Sequence, residues 1–141
     1  MSKKIVIGNW KMNPLTLKEA EKLFSGVAKE VSRVKKTEVV ICSPFIYLER
    51  LKKIRTSKIK LGAQDAFGGD VGAFTGEISP FMLSSIGVRY VILGHSERRA
   101  LGENNNEREL FAISLPSLLF FLRLAFFFFA GLMELSPLCF C

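Results

Sequence analysis

A chain of 141 residues is long enough for one domain with a hydrophobic core of its own. Its 49% hydrophobic and 23% charged residues are typical of a globular protein, and its net charge of +7 raises the question of nucleic-acid binding. That function class is disfavoured, because the basic residues are spread over several predicted elements and lack an aromatic platform on which bases could stack. We expect these residues to form a solvated surface: Lys35, Lys36, Lys52, Lys53, Arg55, Lys58 and Lys60.

The cysteines and the amino-terminal residues indicate in which cellular compartment the protein is expected. Cys42 lies in an apolar run, and Cys139 and Cys141 lie near the end of the sequence. Three cysteines cannot all form disulfides within one chain, and neither they nor the single histidine show the spacing of metal ligands. This usage predicts a reducing compartment and no metal. The first ten residues hold an apolar stretch too short for a signal peptide, which predicts a cytoplasmic location.

The composition divides the chain near residue 110. Residues 1–110 hold 19 of the 20 basic and 12 of the 13 acidic residues, and therefore the whole net charge. Residues 111–141 hold one residue of each sign, Arg123 and Glu134, and 8 of the 13 phenylalanines. The sequence therefore predicts a domain over 1–110 and a hydrophobic, phenylalanine-rich tail over 111–141.

Four short runs of apolar and β-branched residues, each bounded by glycine or polar residues, predict strands buried on both faces. They lie at 5–7, 39–42, 59–61 and 90–93. Between the first two, Thr16 and Glu19 form a capping box, and apolar residues recur at helical spacing up to Val31. The spacing predicts a helix whose inner face holds Leu17, Ala20, Phe24, Val27 and Val31.

Two further helices open on a serine followed by proline, a typical N-cap with proline at the first helical position. Ser43 and Pro44 open one helix, and Ser79 and Pro80 open the other, which Gly87 ends. The predicted inner faces hold Phe45, Leu48, Leu51 and Ile54 in the first and Met82, Leu83 and Ile86 in the second. Strands that alternate with helices predict an α/β fold with a parallel sheet and right-handed crossovers.

Each predicted strand is followed by polar residues. They are Asn9 and Lys11, then Ser43, then Gln64 and Asp65, then His95 and Glu97. In α/β folds ligands bind at the carboxyl ends of the strands, so this repetition indicates a site, although ordinary loop polarity would also place polar residues there.

Four sequence blocks resemble the amino-terminal half of the triosephosphate isomerase family. They are GNWKMN at 8–13, GAQD at 62–65, GAFTGEIS at 72–79 and YVILGHSERR at 90–99, and the resemblance covers residues 3 to about 103. It implies the first four βα units of a TIM barrel. It also implies a cofactor-free enzyme that interconverts dihydroxyacetone phosphate and glyceraldehyde 3-phosphate through an enediol.

The resemblance also implies roles for single residues. His95 matches the electrophile that hydrogen-bonds the substrate oxygens, and a short helix expected at Ser96 would favour a neutral ring through its dipole. Lys11 matches the lysine that supplies positive charge, and Asn9 matches the neighbouring substrate contact. Glu97 matches the carboxylate that positions the lysine; without the resemblance it would be half of a surface ion pair with Arg98 or Arg99.

The resemblance further implies a homodimer. Gln64 and Thr75 fall in segments that form the dimer contact in the family, where the loop around Phe74 inserts beside the partner's active site. The alternative for this glycine-rich loop is a flexible surface excursion, against which its length and an expected burial of Phe74 argue.

The chain departs from the family after about residue 103. In the family the catalytic base is a glutamate about 70 residues beyond the histidine, whereas 46 residues follow His95 here. A barrel needs about 250 residues and holds phosphate after its seventh and eighth strands. We therefore expect this chain to lack the base and the phosphate loops and to be inactive alone.

The apolar run over 111–133 is interrupted by Pro116 and Arg123, which disfavours a membrane span. It does not resemble the family's fourth helix and fifth strand, and a shifted reading frame or a mispredicted exon junction explains it better. The alternative function is a non-catalytic half barrel, tethered to a membrane or bound to a partner through this tail.

Overall fold

The chain forms a parallel sheet in a computed structural model that describes residues 4–54, 56, 58–102 and the backbone of 123–126. The strands β1 (Lys4–Asn9), β2 (Thr37–Cys42), β3 (Ile59–Ala63), β4 (Tyr90–Leu93) and β5 (Arg123–Phe126) lie side by side in chain order. Helices α1 (Leu17–Val31), α2 (Phe45–Lys52), α3 (Pro80–Ser85) and α4 (Ser96–Ala100) follow the first four strands. The predicted α/β fold, a partial TIM barrel with four βα units, is confirmed.

Strand β5 is an element that the sequence patterns do not predict. It pairs in parallel with β4, with Tyr90 opposite Arg123 and Leu93 opposite Phe126. The edge of β4 has backbone N–H and C=O groups that need hydrogen-bond partners, and a short apolar and aromatic segment can provide those partners. Such a segment needs no alternation of polar and apolar residues, which is why the sequence pattern does not reveal it. The rest of the tail and the predicted boundary at residue 110 lie outside the described residues. Within the described part of the chain, no helix is long and apolar enough to cross a membrane.

Helix α1 begins as predicted. The Thr16 hydroxyl accepts a hydrogen bond from the Glu19 backbone N–H at 3.2 Å, and the Glu19 carboxylate accepts one from the Thr16 N–H at 3.1 Å. Both bonds satisfy amide groups that have no partner within the helix. Ala20 and Phe24 are buried beneath the helix as predicted, but the prediction that Leu17 lies on the inner face is wrong, since 42% of that residue is exposed.

Helix α2 begins one residue later than predicted. Pro44, not Ser43, occupies the N-cap with an extended ψ of 143°, and no side chain caps the helix. Ser43 is buried, and its hydroxyl donates to the Pro44 carbonyl at 3.3 Å. The predicted inner face is otherwise present, since Leu48 and Leu51 are buried.

Helix α3 begins as predicted, with the Ser79 hydroxyl accepting from the Met82 N–H at 3.3 Å. Leu83 faces the core, but the prediction that Met82 is buried is wrong, since 54% of that residue is exposed. A helix of six residues covers little of the sheet, and one buried leucine fills the space. Gly87 ends the turn with a φ of +80°, as its predicted role of terminator requires.

The sheet is buried on both faces. Its outer face packs against the helices through an outer core that includes Ile41, Leu61, Val91 and Leu93. Its inner face carries a second cluster, the inner core, formed by Val40, Cys42, Tyr90 and Ile92 with Ile5 and Ile7 packed against it. Two-sided burial explains why the strands are continuous apolar runs.

The inner core depends on a glycine. A Cβ added at Gly62 on β3 would lie 2.3 Å from Cys42 Sγ and 3.1 Å from Val40 Cγ1. Burial raises the pKa of the Cys42 thiol to about 12, so this side chain is a neutral apolar group at physiological pH. The thiol therefore fills the space that Gly62 leaves open.

We expect Gly62→Ala and Gly26→Ala to change stability in opposite directions. The added methyl at residue 62 overlaps Cys42 and should cost about 1–3 kcal/mol, whereas Gly26 lies in α1 with nothing within 4 Å of an added Cβ, so alanine should stabilise it by about 0.5–1 kcal/mol. Urea unfolding measures both. Adding Cys42→Ala should recover part of the loss at residue 62, and a Gly62→Ala chain as stable as the parent would contradict this packing.

Candidate functional site

The predicted site residues converge at the carboxyl edge of the sheet. Asn9 ends β1, Gln64 follows β3 and His95 follows β4 by two residues. Because all strands are parallel, these positions meet at one edge, and the glycine at 94, with a φ of +64°, turns the chain from β4 into α4.

Lys11 is held in a strained conformation. Its φ is +53°, a left-handed value that side-chain-bearing residues seldom adopt. The Asn9 side-chain oxygen accepts a hydrogen bond from the Lys11 N–H at 2.9 Å and so fixes this turn. The ammonium then lies 2.8 Å from Glu97 Oε1, with 44% of the Lys11 side chain exposed. Strain of this kind is found at functional sites, where the surrounding contacts maintain it.

His95 caps the short helix α4, which the sequence predicted. Its Nδ1 accepts a hydrogen bond from the Glu97 N–H at 3.2 Å. A nitrogen that accepts carries no proton, so in the neutral ring the proton lies on Nε2, which is then a donor. Glu97 Oε2 also lies 3.6 Å from Nδ1, but that contact becomes an ion pair only in a protonated ring. The contact with the N–H matches the N-cap geometry of α4.

Gln64 connects three strands at this edge. Its amide nitrogen lies 2.8 Å from the Lys11 carbonyl oxygen and 3.1 Å from both the Asn9 side-chain oxygen and the Cys42 carbonyl oxygen. The amide has two hydrogens for these three acceptors, so at least one is shared. The resemblance assigns Gln64 to a dimer contact, and its polar type at a strand end is the one sequence signal that points to this positioning role.

A second ion pair joins the ends of β3 and β4. Arg98 Nη2 lies 2.8 Å from Asp65 Oδ2, and 7% of Asp65 is exposed. The sequence pattern predicts Asp65 at the end of a strand, but it does not predict the ion pair with Arg98. The alternative in which Glu97 pairs with Arg98 or Arg99 does not hold, because Glu97 contacts Lys11 and Arg98 contacts Asp65. The two pairs fix α4 against β1 and β3.

The loop that carries Thr75 packs on itself through two phenylalanines. Thr75 is exposed, and Phe74 is 50% exposed, so the expectation of a buried Phe74 is wrong. Its ring instead packs on Phe67 with centroids 4.4 Å apart. A Cβ at Gly72, whose φ is +151°, would lie 2.6 Å from the Phe74 ring, so the glycine permits the packing. The loop is therefore ordered by its own aromatic pair.

The site supplies nitrogen donors and one carboxylate. Within the ranges that the structure describes, no group of three or more histidine, cysteine, aspartate or glutamate side chains is placed to hold a metal ion. An ammonium, an imidazole N–H and an amide instead suit an anionic or carbonyl-bearing ligand.

Comparison with protein families shows which family has this arrangement. The family model described as "TIM: Triosephosphate isomerase" matches residues 4–112. The chain belongs to the triosephosphate isomerase family. The match extends a few residues beyond the segment over which the sequence blocks carry the resemblance, and it includes β1 to β4 and all four helices.

Curated relatives named triosephosphate isomerase agree. The chain is 47% identical over 114 residues to that of Cytophaga hutchinsonii, covering 76% of this chain and 43% of the relative. It is 47% identical over 119 residues to that of a Thermoanaerobacter species, covering 81% and 47%. It is 53% identical over 97 residues to that of Dehalococcoides mccartyi, covering 68% and 38%. The chain thus spans less than half the length of these relatives.

The contact between Lys11 and Glu97 predicts a pH dependence. The hydrogen bond between Glu97 and Lys11 is the main cause that lowers the pKa of the Glu97 carboxyl, and the positive charge of Lys11 lowers it further. The stability that the ion pair contributes is therefore full above the pKa of glutamate in the unfolded chain. It is lost as the pH falls through the lower pKa of the folded chain.

We expect Lys11→Met to raise the Glu97 pKa towards its ordinary range, measured by carboxyl NMR titration. Lys53→Met is the control, because Lys53 lies 3.1 Å from Glu49 in an exposed pair on α2. It should leave the Glu97 titration unchanged. A Glu97 pKa that does not respond to Lys11→Met would show that the pair does not form.

Proposed function

We propose that the cluster of Asn9, Lys11, His95 and Glu97 serves the isomerisation of triose phosphates, dihydroxyacetone phosphate and glyceraldehyde 3-phosphate, through an enediol. The observation that carries the proposal is the hydrogen bond from the Glu97 N–H to His95 Nδ1. It leaves Nε2 as the donor of a neutral imidazole beside the Lys11 ammonium.

His95 acts in this proposal as the electrophile. Enolisation moves negative charge onto a carbonyl oxygen, and a donor aimed at that oxygen stabilises the transition state more than the ground state. A neutral imidazole can donate from Nε2 and also take a proton back, so it can serve both oxygens of an enediol. The α4 cap maintains the required tautomer.

Lys11 supplies a fixed positive charge. The ammonium attracts the phosphate of the substrate and the developing oxyanion alike, so it acts on binding as well as on turnover. Glu97 positions the ammonium through the 2.8 Å contact, and Gln64 positions the Lys11 backbone through its carbonyl. Asn9 serves as a substrate contact in addition to fixing the turn at Lys11.

We further propose that this chain alone does not turn over substrate. The reaction needs a base for the α-proton, and in the family that base is a glutamate about 70 residues after the histidine. Binding energy from the phosphate also orients the carbonyl, and the loops that hold it follow late strands of the barrel. The span of less than half of the relatives supports this proposal.

A non-catalytic product is the second candidate. Its support is the apolar composition of 111–141, which suits attachment to a membrane or a partner. The cytoplasmic location stays a prediction. Cosedimentation of the intact chain with phospholipid vesicles, lost when 111–141 are removed, would favour this candidate.

The dimer also belongs to the proposal. Val71, at 86% exposed, and Phe74 lie on the loop that contains Thr75, while the turn after β1 exposes Met12 and Leu15 at 88% and 84%. Exposed apolar groups of this size mark interaction surfaces. We propose that the loop of one chain covers the turn of a second copy, with Thr75 and Gln64 at the contact.

The activity is tested by supplying the carboxyl-terminal half that the relatives have and this chain does not span. The chain alone should match buffer in an isomerisation assay, and mixing it with the carboxyl-terminal half of the Thermoanaerobacter relative should restore turnover. In that mixture His95→Gln should lower kcat by about 10²–10⁴, and Lys11→Ala should also raise KM. Lys53→Gln is the matched control. Turnover by the chain alone that His95→Ala abolishes would show that the base has been misplaced.

The dimer contact is tested by Phe74→Ser. Sedimentation equilibrium should show weaker self-association than in the parent, because the apolar loop tip is lost. Leu23→Ser on α1 is the control, since Leu23 is 45% exposed and so resembles Phe74 at 50%. If both variants associate as the parent does, the loop is not the contact.

A further inference from the structure

The turn that carries Lys11 lies almost entirely in solvent. Every residue from 11 to 19 is exposed except Pro14, which is half-buried. The apolar side chains of the turn do not hold it against the core, since Met12 is 88% and Leu15 is 84% exposed. Pro14 is therefore the only residue of this segment that the rest of the described chain covers substantially.

The residue that holds Pro14 is Tyr47. The Tyr47 hydroxyl donates a hydrogen bond to the Pro14 carbonyl oxygen at 2.9 Å, across 33 residues of sequence. Among the described residues, this is the only hydrogen bond that residues 12–15 make. The two bonds of the capping box at Thr16 and Glu19 are local to α1, so they do not fix the turn against the sheet.

Tyr47 has a fixed position. It lies on α2, is 5% exposed, and belongs to the outer core together with Leu48 and Leu51. Close packing holds a side chain of this kind in one place. A phenylalanine ring would fill the same space, so the hydroxyl is the group that packing alone does not explain. A buried tyrosine hydroxyl usually has a hydrogen-bond partner, and here the partner is the turn.

The turn is thus attached through two backbone carbonyls. The Lys11 carbonyl contacts Gln64 Nε2 at 2.8 Å, and the Pro14 carbonyl accepts from Tyr47. The φ of +53° at Lys11 persists only where surrounding contacts maintain it. Because only two residues separate Lys11 from Pro14, a release at Pro14 reaches Lys11 through a short piece of chain.

We propose that Tyr47 is a positioning residue for Lys11. Its hydroxyl holds the far end of the turn, as Gln64 holds the near end, and thereby keeps the Lys11 ammonium 2.8 Å from Glu97 Oε1. Tyr47 acts through the backbone of the turn. Its effect on isomerisation rests on the function proposed for Lys11, whereas the geometry of the turn can be measured in this chain without any turnover.

The test is Tyr47→Phe, which removes the hydroxyl and keeps the ring in the outer core. The Glu97 pKa, measured by carboxyl NMR titration, should lie between those of the parent and of Lys11→Met, because the ammonium is held less closely. The Lys11 amide hydrogen, which is bonded to Asn9 Oδ1, should exchange about twofold to tenfold faster, the range expected for the loss of one hydrogen bond. Parent values for both quantities would overturn the proposal.

Tyr90→Phe is the matched control. Tyr90 is the second of the two tyrosines in the sequence, is also 5% exposed, and donates its hydroxyl to Glu38 on β2. Both variants lose one buried hydroxyl, so urea unfolding should show a similar small loss of stability in each. Only Tyr47→Phe should change the Glu97 titration and the Lys11 exchange. Equal changes in the two variants would indicate a general loosening of the fold and refute the positioning role.

Rescue separates the hydrogen bond from the packing. p-Aminophenylalanine in place of Tyr47 carries an amino group that can donate to the same carbonyl. It should return the Glu97 titration and the Lys11 exchange to near the parent values. If neither quantity recovers, the hydrogen bond to Pro14 is not what positions the turn.

Kinetics in the mixture with the carboxyl-terminal half relate this role to the reaction. Tyr47→Phe should raise KM and lower kcat, each by less than Lys11→Ala does, because the charge is displaced and not removed. Parent values of both constants would count against the positioning role. A mixture in which even the parent shows no turnover would contradict the proposed isomerase function, and the Glu97 titration in the single chain would still decide the role of Tyr47.

Discussion

The geometry at the carboxyl edge depends on the amide of Gln64. One nitrogen contacts oxygen atoms from Asn9, Lys11 and Cys42, and so joins the ends of β1 and β2 to the end of β3. Parallel strands leave backbone carbonyls at this edge without a partner within the sheet, and a side-chain amide is able to satisfy several at once. The turn that presents Lys11, and through it the pair with Glu97, rests on this connection.

Charge at the carboxyl edge is arranged in pairs. The Lys11 ammonium contacts Glu97, and the Arg98 guanidinium contacts Asp65. The two pairs join α4 to the residues that follow β1 and β3. Paired charges orient one another, so the positions of the charged groups at this edge depend on contacts between elements that are distant in sequence.

The strands and helices of the first hundred residues follow from local patterns. Two-sided burial produces continuous apolar runs, and the capping box at Thr16 and Glu19 marks the start of α1 in sequence and structure alike.

The errors in the sequence predictions arise where tertiary contacts decide which side chains are buried. Met82 and Phe74 look like core residues by type, but the short α3 covers only Leu83, and Phe74 satisfies its apolar surface on Phe67. Strand β5 forms because β4 offers an edge, which no pattern within 123–126 records. The convergence of Lys11, His95 and Glu97 was expected through resemblance, whereas the roles of Gln64 and Arg98 depend on contacts across 53 and 33 residues of sequence that no local spacing encodes.

Under the role proposed for Lys11, its left-handed backbone sets turnover and stability against each other at one residue. A side-chain-bearing residue at a φ of +53° costs roughly 1–3 kcal/mol, and glycine would remove that cost together with the ammonium. A protein selected for stability alone would therefore drift towards glycine at this position, and one selected for turnover would keep the lysine. The identity of residue 11 across natural variants thus records which of the two selections the chain has experienced.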